Sequence, residues 1–356
     1  MDTSSGMTER LRVLKERYLK AVPSITIDRA LAFTEIARKY PALSPQRRIT
    51  KSFKRACETA PLLIQPDELI IGHPCGKARA GAFSPDIAWQ WVKDELSDIG
   101  TRPQDPYEIS DADKDVMTRT LFPFWKGKSL LEHCEEALQH LKTLSPSDPG
   151  YDTRHEYYLG ALDTYDGVLI YARRLARYAR ELAAKESDPQ RRRELLGIAD
   201  INERVPANPP RTFHEALQSV WTILSLFMLE GNQCSTSLSR ADQYMYPLYK
   251  QDIETGRLSR QKAFELIGCF IIKCSEVIWY TPGATATYFA GYMPFINMCV
   301  GGVGRHGGDA TNELTLLFMD AVARMKLYQP TLACRIHNMS PQEYLEKIIT
   351  VIRAGG

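Results

Sequence analysis

Residues 288–303 read Tyr-Phe-Ala-Gly-Tyr-Met-Pro-Phe-Ile-Asn-Met-Cys-Val-Gly-Gly-Val, and this stretch decides the fold. An apolar run that ends in a glycine pair is typical of a buried strand whose tip lets another group approach the backbone closely. The spacing of apolar residues then predicts a helix over 313–327, a strand over 331–337 and a helix over 341–354. Strand and helix in alternation indicate a parallel sheet or barrel. The sequence therefore predicts an α/β protein.

The last predicted helix indicates that more chain should follow. In a parallel sheet such a helix carries the chain to its next strand, yet the sequence ends at Gly356. We therefore expect the sequence to be the front part of a longer protein. It divides into a mostly helical shell over 1–210 and the start of a barrel over 211–356. Helical spacing predicts further helices over 8–21, 26–39, 45–60, 166–186, from Pro189 to about Val205, after Thr212 to about Leu229, and after Ser259 to about Tyr280.

Composition excludes several classes of protein. The chain carries a net charge of +2 from 45 basic and 43 acidic residues, and 44% of its residues are hydrophobic. Its basic clusters lie among glutamates on predicted helix surfaces, so no nucleic-acid partner is predicted. None of the eight cysteines belongs to a CxxC pair, which indicates reduced buried thiols and no metal site. Without an apolar signal region or a run of membrane-spanning length, we expect a cytoplasmic protein with no membrane partner.

Three stretches of the sequence are candidates for chemistry. The hydroxyl-rich run Cys234–Arg240 predicts either a turn that caps the next helix or a site for a small polar ligand. His306, in a glycine-rich turn after the strand, is either an exposed loop residue or a group facing an active site. The aromatic residues between Trp279 and Phe295 either pack against the core or line a site for an apolar or cationic ligand. From these residues alone we predict a small-molecule site near residues 290–310.

Five segments give the chain a family resemblance. It resembles the glycyl radical enzymes, which are pyruvate formate-lyase-like, and within them the choline trimethylamine-lyase branch. The segment RVPANPPRTFHEALQ is shared widely across the family, whereas FAGYMPFINMCVGG and YQPTLA are more typical of the choline branch; RADQYMYP also carries the resemblance. The resemblance spans nearly the whole chain and rests on residues 204–218, 240–247, 289–302, 309–312 and 328–333.

The resemblance implies a ten-stranded β/α barrel within a helical shell. It also implies a radical carbon–nitrogen lyase that converts choline to trimethylamine and acetaldehyde. The cofactor would be a glycyl radical, installed by a partner activating enzyme that uses S-adenosylmethionine and an iron–sulfur cluster. Phe295 matches an aromatic position of the family's substrate pocket, and Ser237 matches a pocket serine of related dehydratases. With Tyr292 from the same aromatic stretch, these are the predicted substrate-binding residues. A homodimer is usual in the family, and residence in a bacterial microcompartment is possible for its members.

The sequence departs from the family pattern in three respects. The radical cysteine, its partner glutamate and the C-terminal glycyl radical domain would lie beyond Gly356, so no catalytic residue is assigned within this chain and the fragment alone is expected to be inactive. A family segment that contributes a tyrosine and an aspartate to the choline site is missing between Ser129–Cys134 and Glu135–Leu144. Relatives usually have glycine where this chain has Ser239. Two alternatives therefore stay open, a glycyl radical diol dehydratase acting on propane-1,2-diol or glycerol, and an inactive truncated scaffold.

Overall fold

The first part of the chain forms a helical layer with one small parallel sheet. In the computed structural model, strand β1 (Ser24–Thr26) pairs with β2 (Ala80–Ala82). A π-helical turn, Met117–Leu121, lies between the helices Asp111–Val116 and Phe122–Trp125. The model describes residues 6–125, 149–232, 235–292, 294–304 and 306–355, so the predicted missing segment near residues 129–144 lies outside it. The helices of this layer are α1 Glu9–Lys20, α2 Asp28–Lys39, α3 Pro45–Thr59, α4 Pro85–Glu95, α5 Asp111–Val116, α6 Phe122–Trp125, α7 Pro149–Lys185, α8 Pro189–Arg204 and α9 Phe213–Gly231.

The second part contains a three-stranded parallel sheet in the order β3-β4-β5. The sheet is formed by β3 (Thr236–Arg240), β4 (Ile296–Gly301) and β5 (Thr331–Arg335). The prediction of a turn over Cys234–Arg240 was wrong in its conformation, because most of that run is strand β3. The helices of this part are α10 Ala241–Tyr244, α11 Tyr246–Glu254, α12 Arg260–Glu276, α13 Gly283–Ala286, α14 Glu313–Met325 and α15 Gln342–Arg353. No helix among the described residues is long and apolar enough to cross a membrane.

Helix starts follow the capping chemistry of the sequence only in part. Asp188 accepts hydrogen bonds from the backbone N–H groups of Gln190 and Arg191, so α8 begins where the Asp-Pro pair predicts. Thr212 caps α9 in the same way, whereas its partner Glu215 accepts from the N–H of Arg211. The run Ser340-Pro-Gln-Glu343 has the composition of a capping box, but no box forms, because the Ser340 hydroxyl accepts the N–H of His337 instead.

The two faces of the three-stranded sheet differ sharply in environment. Leu238, Ile296, Met298 and Val300 belong to the main hydrophobic cluster, together with residues of α9, α12 and α14. Along β4 these buried residues alternate with half-buried ones, which is the period of a strand with one covered face. The side chains on the opposite face of the sheet do not belong to this cluster.

A buried ion cluster joins the helical layer to the sheet layer. The Lys273 ammonium of α12 donates to Glu68 at 2.7 Å and to Glu276 at 2.6 Å. All three side chains are at most 3% exposed. Burial alone would lower the pKa of Lys273, but the two carboxylates raise it above its ordinary value, so the ammonium stays charged. Gln65 donates to both glutamates and completes the cluster.

The run Leu69-Ile-Ile-Gly72 has the apolar composition of a strand, but the structure shows a loop held by side chains. The N–H of Ile71 donates to Gln218 Oε1 at 2.9 Å, and Gln218 Nε2 donates back to the Ile71 carbonyl oxygen at 3.1 Å. Trp221 Nε1 donates to the carbonyl oxygen of Gly72 at 3.0 Å. The side chains of α9 therefore satisfy these buried backbone groups in place of a neighbouring strand.

Removing the Lys273 charge should destabilise the protein strongly. Lys273→Met leaves Glu68 and Glu276 buried without their cation, and breaking such a pair costs about 3–5 kcal/mol. The free energy of unfolding, measured by urea denaturation, should fall by that amount. Lys250→Met is the matched control, because Lys250 forms an exposed pair with Glu254 on one helix and should lose less than about 1 kcal/mol. Equal losses in the two variants would contradict the assigned role of the cluster.

Two buried histidines should make stability depend on pH. Burial, reinforced by the Lys273 charge, lowers the pKa of His73 to about 3, and burial lowers that of His214 to about 4. In the unfolded chain both titrate near pH ~6.5. Below that pH the unfolded state binds more protons, so the free energy of unfolding should fall as pH drops from about 6.5 to 4. Each histidine should contribute at most about 1.4 kcal/mol per pH unit.

The variant His73→Gln tests this pH dependence. Its plot of unfolding free energy against pH should be shallower than that of the parent protein over pH 4–6.5, by up to the slope of one proton. The control is Gln251→Asn, which replaces an exposed side chain without an ionisable group and should keep the parental slope. A parental slope in His73→Gln would show that His73 takes up its proton in the folded protein.

Candidate functional site

Small and polar side chains line the sheet face that lies away from the helices. In the parallel register, Asn297 of β4 stands between Ser237 of β3 and Thr331 of β5. Two residues further along β4 is Cys299, whose thiol donates to Asn297 Oδ1 at 3.7 Å. These side chains are exposed or half-buried. Such a face offers hydroxyl and amide groups that can bind a small hydroxylated molecule.

The glycine pair at the end of β4 is required by close packing. Gly301 has φ +67°, and a Cβ there would overlap the hydroxyl of Tyr344, which donates to the Val300 carbonyl oxygen at 3.1 Å. The Gly301 N–H donates to Asp242 Oδ2 at 2.8 Å, and the fully buried Asp242 also accepts from the Thr315 hydroxyl at 2.6 Å. The close approach predicted at this strand tip is therefore made by a tyrosine of α15.

Three aromatic rings meet at the start of β4. The Phe295 ring lies 5.9 Å from that of Trp279 and 5.7 Å from that of Phe289, centroid to centroid, in edge-to-face arrangements. Phe295 is half-buried and Phe289 is 48% exposed, so the group is accessible on one side. The Phe295 carbonyl oxygen accepts the Thr236 N–H at 3.3 Å, which places the rings beside the beginning of β3. Aromatic faces of this kind attract cations.

The structure places the three predicted substrate-binding residues in two regions. Phe295 and Ser237 are near neighbours, on either side of the Thr236 hydrogen bond, and Ser237 Oγ accepts the Ser239 N–H at 3.1 Å. The Tyr292 ring instead packs edge-to-face on Tyr107 at 5.5 Å, and its hydroxyl donates to the Pro106 carbonyl oxygen at 2.8 Å. Burial and then the nearby Asp105 carboxylate raise the pKa of Tyr292 to about 12. Substrate contact by these residues stays a prediction.

Ser239 and His306 show what two other sequence features do. Ser239 has φ +54°, the left-handed conformation that glycine adopts most easily, so the glycine that the resemblance leads us to expect at this position would fit the backbone. His306 is exposed in its turn. In the same loop Asp309 Oδ1 lies 3.0 Å from Nε2 of His337, which joins the ends of β4 and β5. The residue of this region that makes a specific contact is thus Asp309.

Sequence reasoning did not single out Asn297, Cys299 and Thr331. The signal for them is the strand period: once Ile296, Met298 and Val300 are assigned to the covered face, residues 297 and 299 must point to the other. Thr331 follows only from the register of β5 against β4, which is a long-range pairing that no local pattern specifies.

A cavity lies away from the sheet. It has a volume of about 710 Å³ between α3, α7 and α9 and is lined mostly by apolar side chains, among them Phe53, Val168 and Leu226. Glu230 is the charged residue of its lining. Because this lining offers hardly any group for acid–base or polar recognition chemistry, we place the candidate site at the sheet and the aromatic rings.

Comparison with known proteins assigns the family. The family model described as pyruvate formate lyase-like matches residues 7–140 and 130–356, which is nearly the whole chain. The chain belongs to the pyruvate formate lyase-like family of glycyl radical enzymes. The resemblance predicted from the five sequence segments is thereby confirmed at the level of the family.

Among the relatives of this glycyl radical enzyme chain are lyases and dehydratases. Isethionate sulfite-lyase of Nitratidesulfovibrio vulgaris is 29% identical over 100% of the chain and 50% of its own length. Trans-4-hydroxy-L-proline dehydratase of Clostridioides difficile is 27% identical over 98% of the chain and 50% of its own length. The chain thus spans about half the length of the curated relatives it matches. These relatives do not single out the choline branch of the family.

Solved structures confirm the fold. A Roseburia inulinivorans protein studied for 1,2-propanediol dehydration superimposes with a TM-score of 0.91 at 29% identity, over 98% of this chain and 49% of its own. The glycerol-bound B12-independent glycerol dehydratase of Clostridium butyricum gives a TM-score of 0.89 at 26% identity, over 99% and 50%. The predicted fold class, an α/β glycyl radical enzyme barrel with a helical shell, is correct. We predicted that residues 211–356 form the start of that barrel, and the β3-β4-β5 sheet lies within this range.

Replacing Gly301 tests the packing at the site. Gly301→Ala should lower the free energy of unfolding by more than about 2 kcal/mol, because it combines a left-handed φ with overlap on Tyr344. Gly256→Ala is the control: it has φ +70° but no atom within 4 Å of the new methyl group. It should therefore lose only the backbone cost of about 1 kcal/mol. Similar losses in thermal or urea denaturation would show that Tyr344 yields to the methyl group.

Proposed function

We propose that the full protein is a glycyl radical enzyme that eliminates a leaving group from a small molecule with a neighbouring hydroxyl. The observation that carries this proposal is the pairing of a polar strand face with three aromatic rings at the start of β4. The relatives support it, because their names describe sulfite elimination from isethionate and dehydration of hydroxyproline and propanediol. Within this class we propose choline as the substrate, with trimethylamine and acetaldehyde as products.

Different residues of the chain would bind the two ends of the substrate. Ser237, Asn297 and Thr331 would bind the hydroxyl through their own hydroxyl and amide groups. Phe295, with Trp279 and Phe289 around it, would face the trimethylammonium group, since a ring face attracts a quaternary ammonium ion. The hydrogen-bonding face and the segment that carries the aromatic rings adjoin at Thr236 and Phe295, and we propose that one choline molecule contacts both.

The chemistry itself belongs to groups expected beyond Gly356. The glycyl radical and the cysteine it oxidises supply hydrogen abstraction from the substrate. The polar strand face carries small side chains such as those of Ser237 and Cys299. They fit this scheme, because they leave space beside the sheet for the approach of the cysteine to the substrate. The chain residues bind and orient the substrate. An activating enzyme and a second copy of the protein would be its partners, in the cytoplasm or in a microcompartment.

A second candidate is dehydration of a diol. Propanediol and glycerol dehydratases are among the solved structures with this fold, and the polar strand face suits two vicinal hydroxyls. This alternative gives the aromatic rings only a packing role. The two proposals therefore differ in what the rings contact.

Turnover by activated full-length protein separates these substrates. Choline should give trimethylamine, measured by gas chromatography, and propane-1,2-diol should give little or no aldehyde. Aldehyde from the diol without trimethylamine from choline would establish the second candidate. Activity toward neither compound, with isethionate or hydroxyproline consumed instead, would refute both substrate assignments and keep the elimination class.

The ring at position 295 provides a sharper test. Phe295→Leu keeps an apolar side chain but removes the aromatic face, so KM for choline should rise about tenfold, the equivalent of about 1.4 kcal/mol. The inhibition constant of a neutral diol that competes with choline should change less than threefold. Tyr288→Ala is the control, because Tyr288 lies on the same segment but is 84% exposed. An unchanged KM for choline in Phe295→Leu would exclude a cation contact at this ring.

A further inference from the structure

Two carboxylates from the helical layer bind the backbone of the segment that carries the aromatic rings. We call residues 279–292 the aromatic loop. The Asp105 carboxylate accepts the N–H of Gly291 at 2.7 Å and the N–H of Tyr292 at 3.1 Å. The Glu95 carboxylate accepts the N–H of Gly283 with both oxygens, at 2.9 and 3.0 Å. Both ends of the loop are thus held by charge-assisted hydrogen bonds.

One arginine connects the two carboxylate residues. Arg102 Nη1 donates to Glu95 Oε2 at 2.8 Å, and Arg102 Nε donates to the backbone carbonyl oxygen of Asp105 at 3.0 Å. Its guanidinium also lies over the Tyr107 ring, 4.9 Å from the centroid. Arg102 and Asp105 are at most 9% exposed, so water does not compete strongly for these groups. Glu95, Arg102 and Asp105 therefore act as one unit, which we call the loop clamp.

The clamp holds a loop that is closed on itself. The Trp279 N–H donates to the Tyr292 carbonyl oxygen at 3.4 Å, and the Thr281 N–H donates to the Tyr107 hydroxyl at 3.3 Å. Tyr292 has φ +62°, an unfavourable conformation for a residue with a side chain. Because Asp105 binds the N–H of this same residue, it offsets the cost of that conformation where the chain leads toward Phe295.

We infer that Glu95, Arg102 and Asp105 are positioning residues that fix the aromatic rings against the substrate and thereby set its binding. The inference rests on the proposed function, since it assigns the rings of Trp279, Phe289 and Phe295 to the substrate site. The clamp residues reach the site only through the loop backbone. Their loss should weaken substrate binding while the chemical step, carried out elsewhere, keeps its rate.

The test compares Asp105→Asn with Asp94→Asn in the activated full-length protein. Asparagine tolerates the left-handed backbone of position 105, where φ is +46°, but its amide can accept from only one of the two N–H groups. Asp94 lies nearby on α4, with a side chain 63% exposed, and serves as the matched control. Three quantities are measured for each variant. They are the hydrogen exchange rates of the Gly291 and Tyr292 amides, the KM for choline and the kcat for choline.

In Asp105→Asn we expect amide exchange at least tenfold faster and KM five- to tenfold higher, with kcat within twofold of the parent. Asp94→Asn should match the parent in all three. Unchanged exchange would show that the carboxylate does not hold the loop, and faster exchange with an unchanged KM would show that the loop does not position the substrate. Either result overturns the inference. If the parent turns over no tested substrate, the proposed function fails, and the exchange rates still show whether the clamp holds the loop.

Discussion

The buried Lys273 ammonium is the contact on which the joining of the two layers depends. A charge without water is tolerated only when opposite charges and hydrogen bonds surround it, and here Glu68, Glu276 and Gln65 supply them. Glu68 belongs to the helical layer, whereas Lys273 and Glu276 belong to α12. The relative position of layer and helix is therefore fixed by an electrostatic requirement, because any displacement would leave at least one charge uncompensated.

That requirement reaches the site through continuous backbone. Helix α12 ends at Glu276, and the next residue, Val277, forms a parallel bridge to Ala80, the first residue of β2. The chain then enters the aromatic loop, whose far end is held by Asp105. The loop is thus anchored to the helical layer on both sides before it leads to Phe295 and β4. The aromatic rings of the site are thus carried by a loop, and contacts with the helical layer fix the position of that loop.

The sequence alone predicted the parts of the fold that are determined locally. Capping residues and apolar spacing located α8, α9 and α14, and an apolar run located β4. Strand β3 was missed because Thr-Ser-Leu-Ser-Arg has the hydroxyl-rich composition of a turn, and only its pairing with β4 makes it a strand. Strands β1 and β2 have only three residues each, which is too short for an alternation of apolar and polar residues to be recognised in the sequence.

The candidate site was predictable to a similar extent. Phe295 and Ser237 do lie close together, as a shared pocket would need, while Tyr292 faces the helical layer. The partners of the aromatic loop could not be found from the sequence, since Asp105 and Gly291 are separated by 186 positions along the chain. Nothing in the Pro- and Asp-rich stretch around Asp105 distinguishes a carboxylate that binds backbone N–H groups from one that is merely solvated.

The order β3-β4-β5 has a consequence for handling the protein. Within the described part of the chain, β3 and β5 each pair with a strand on one side only, so no further strand covers the outer edge of either one. Edges of this kind template the addition of further strands from any chain that can supply them. A preparation of these 356 residues alone is therefore exposed to edge-to-edge association, and its solubility will depend on whether something occupies those two edges.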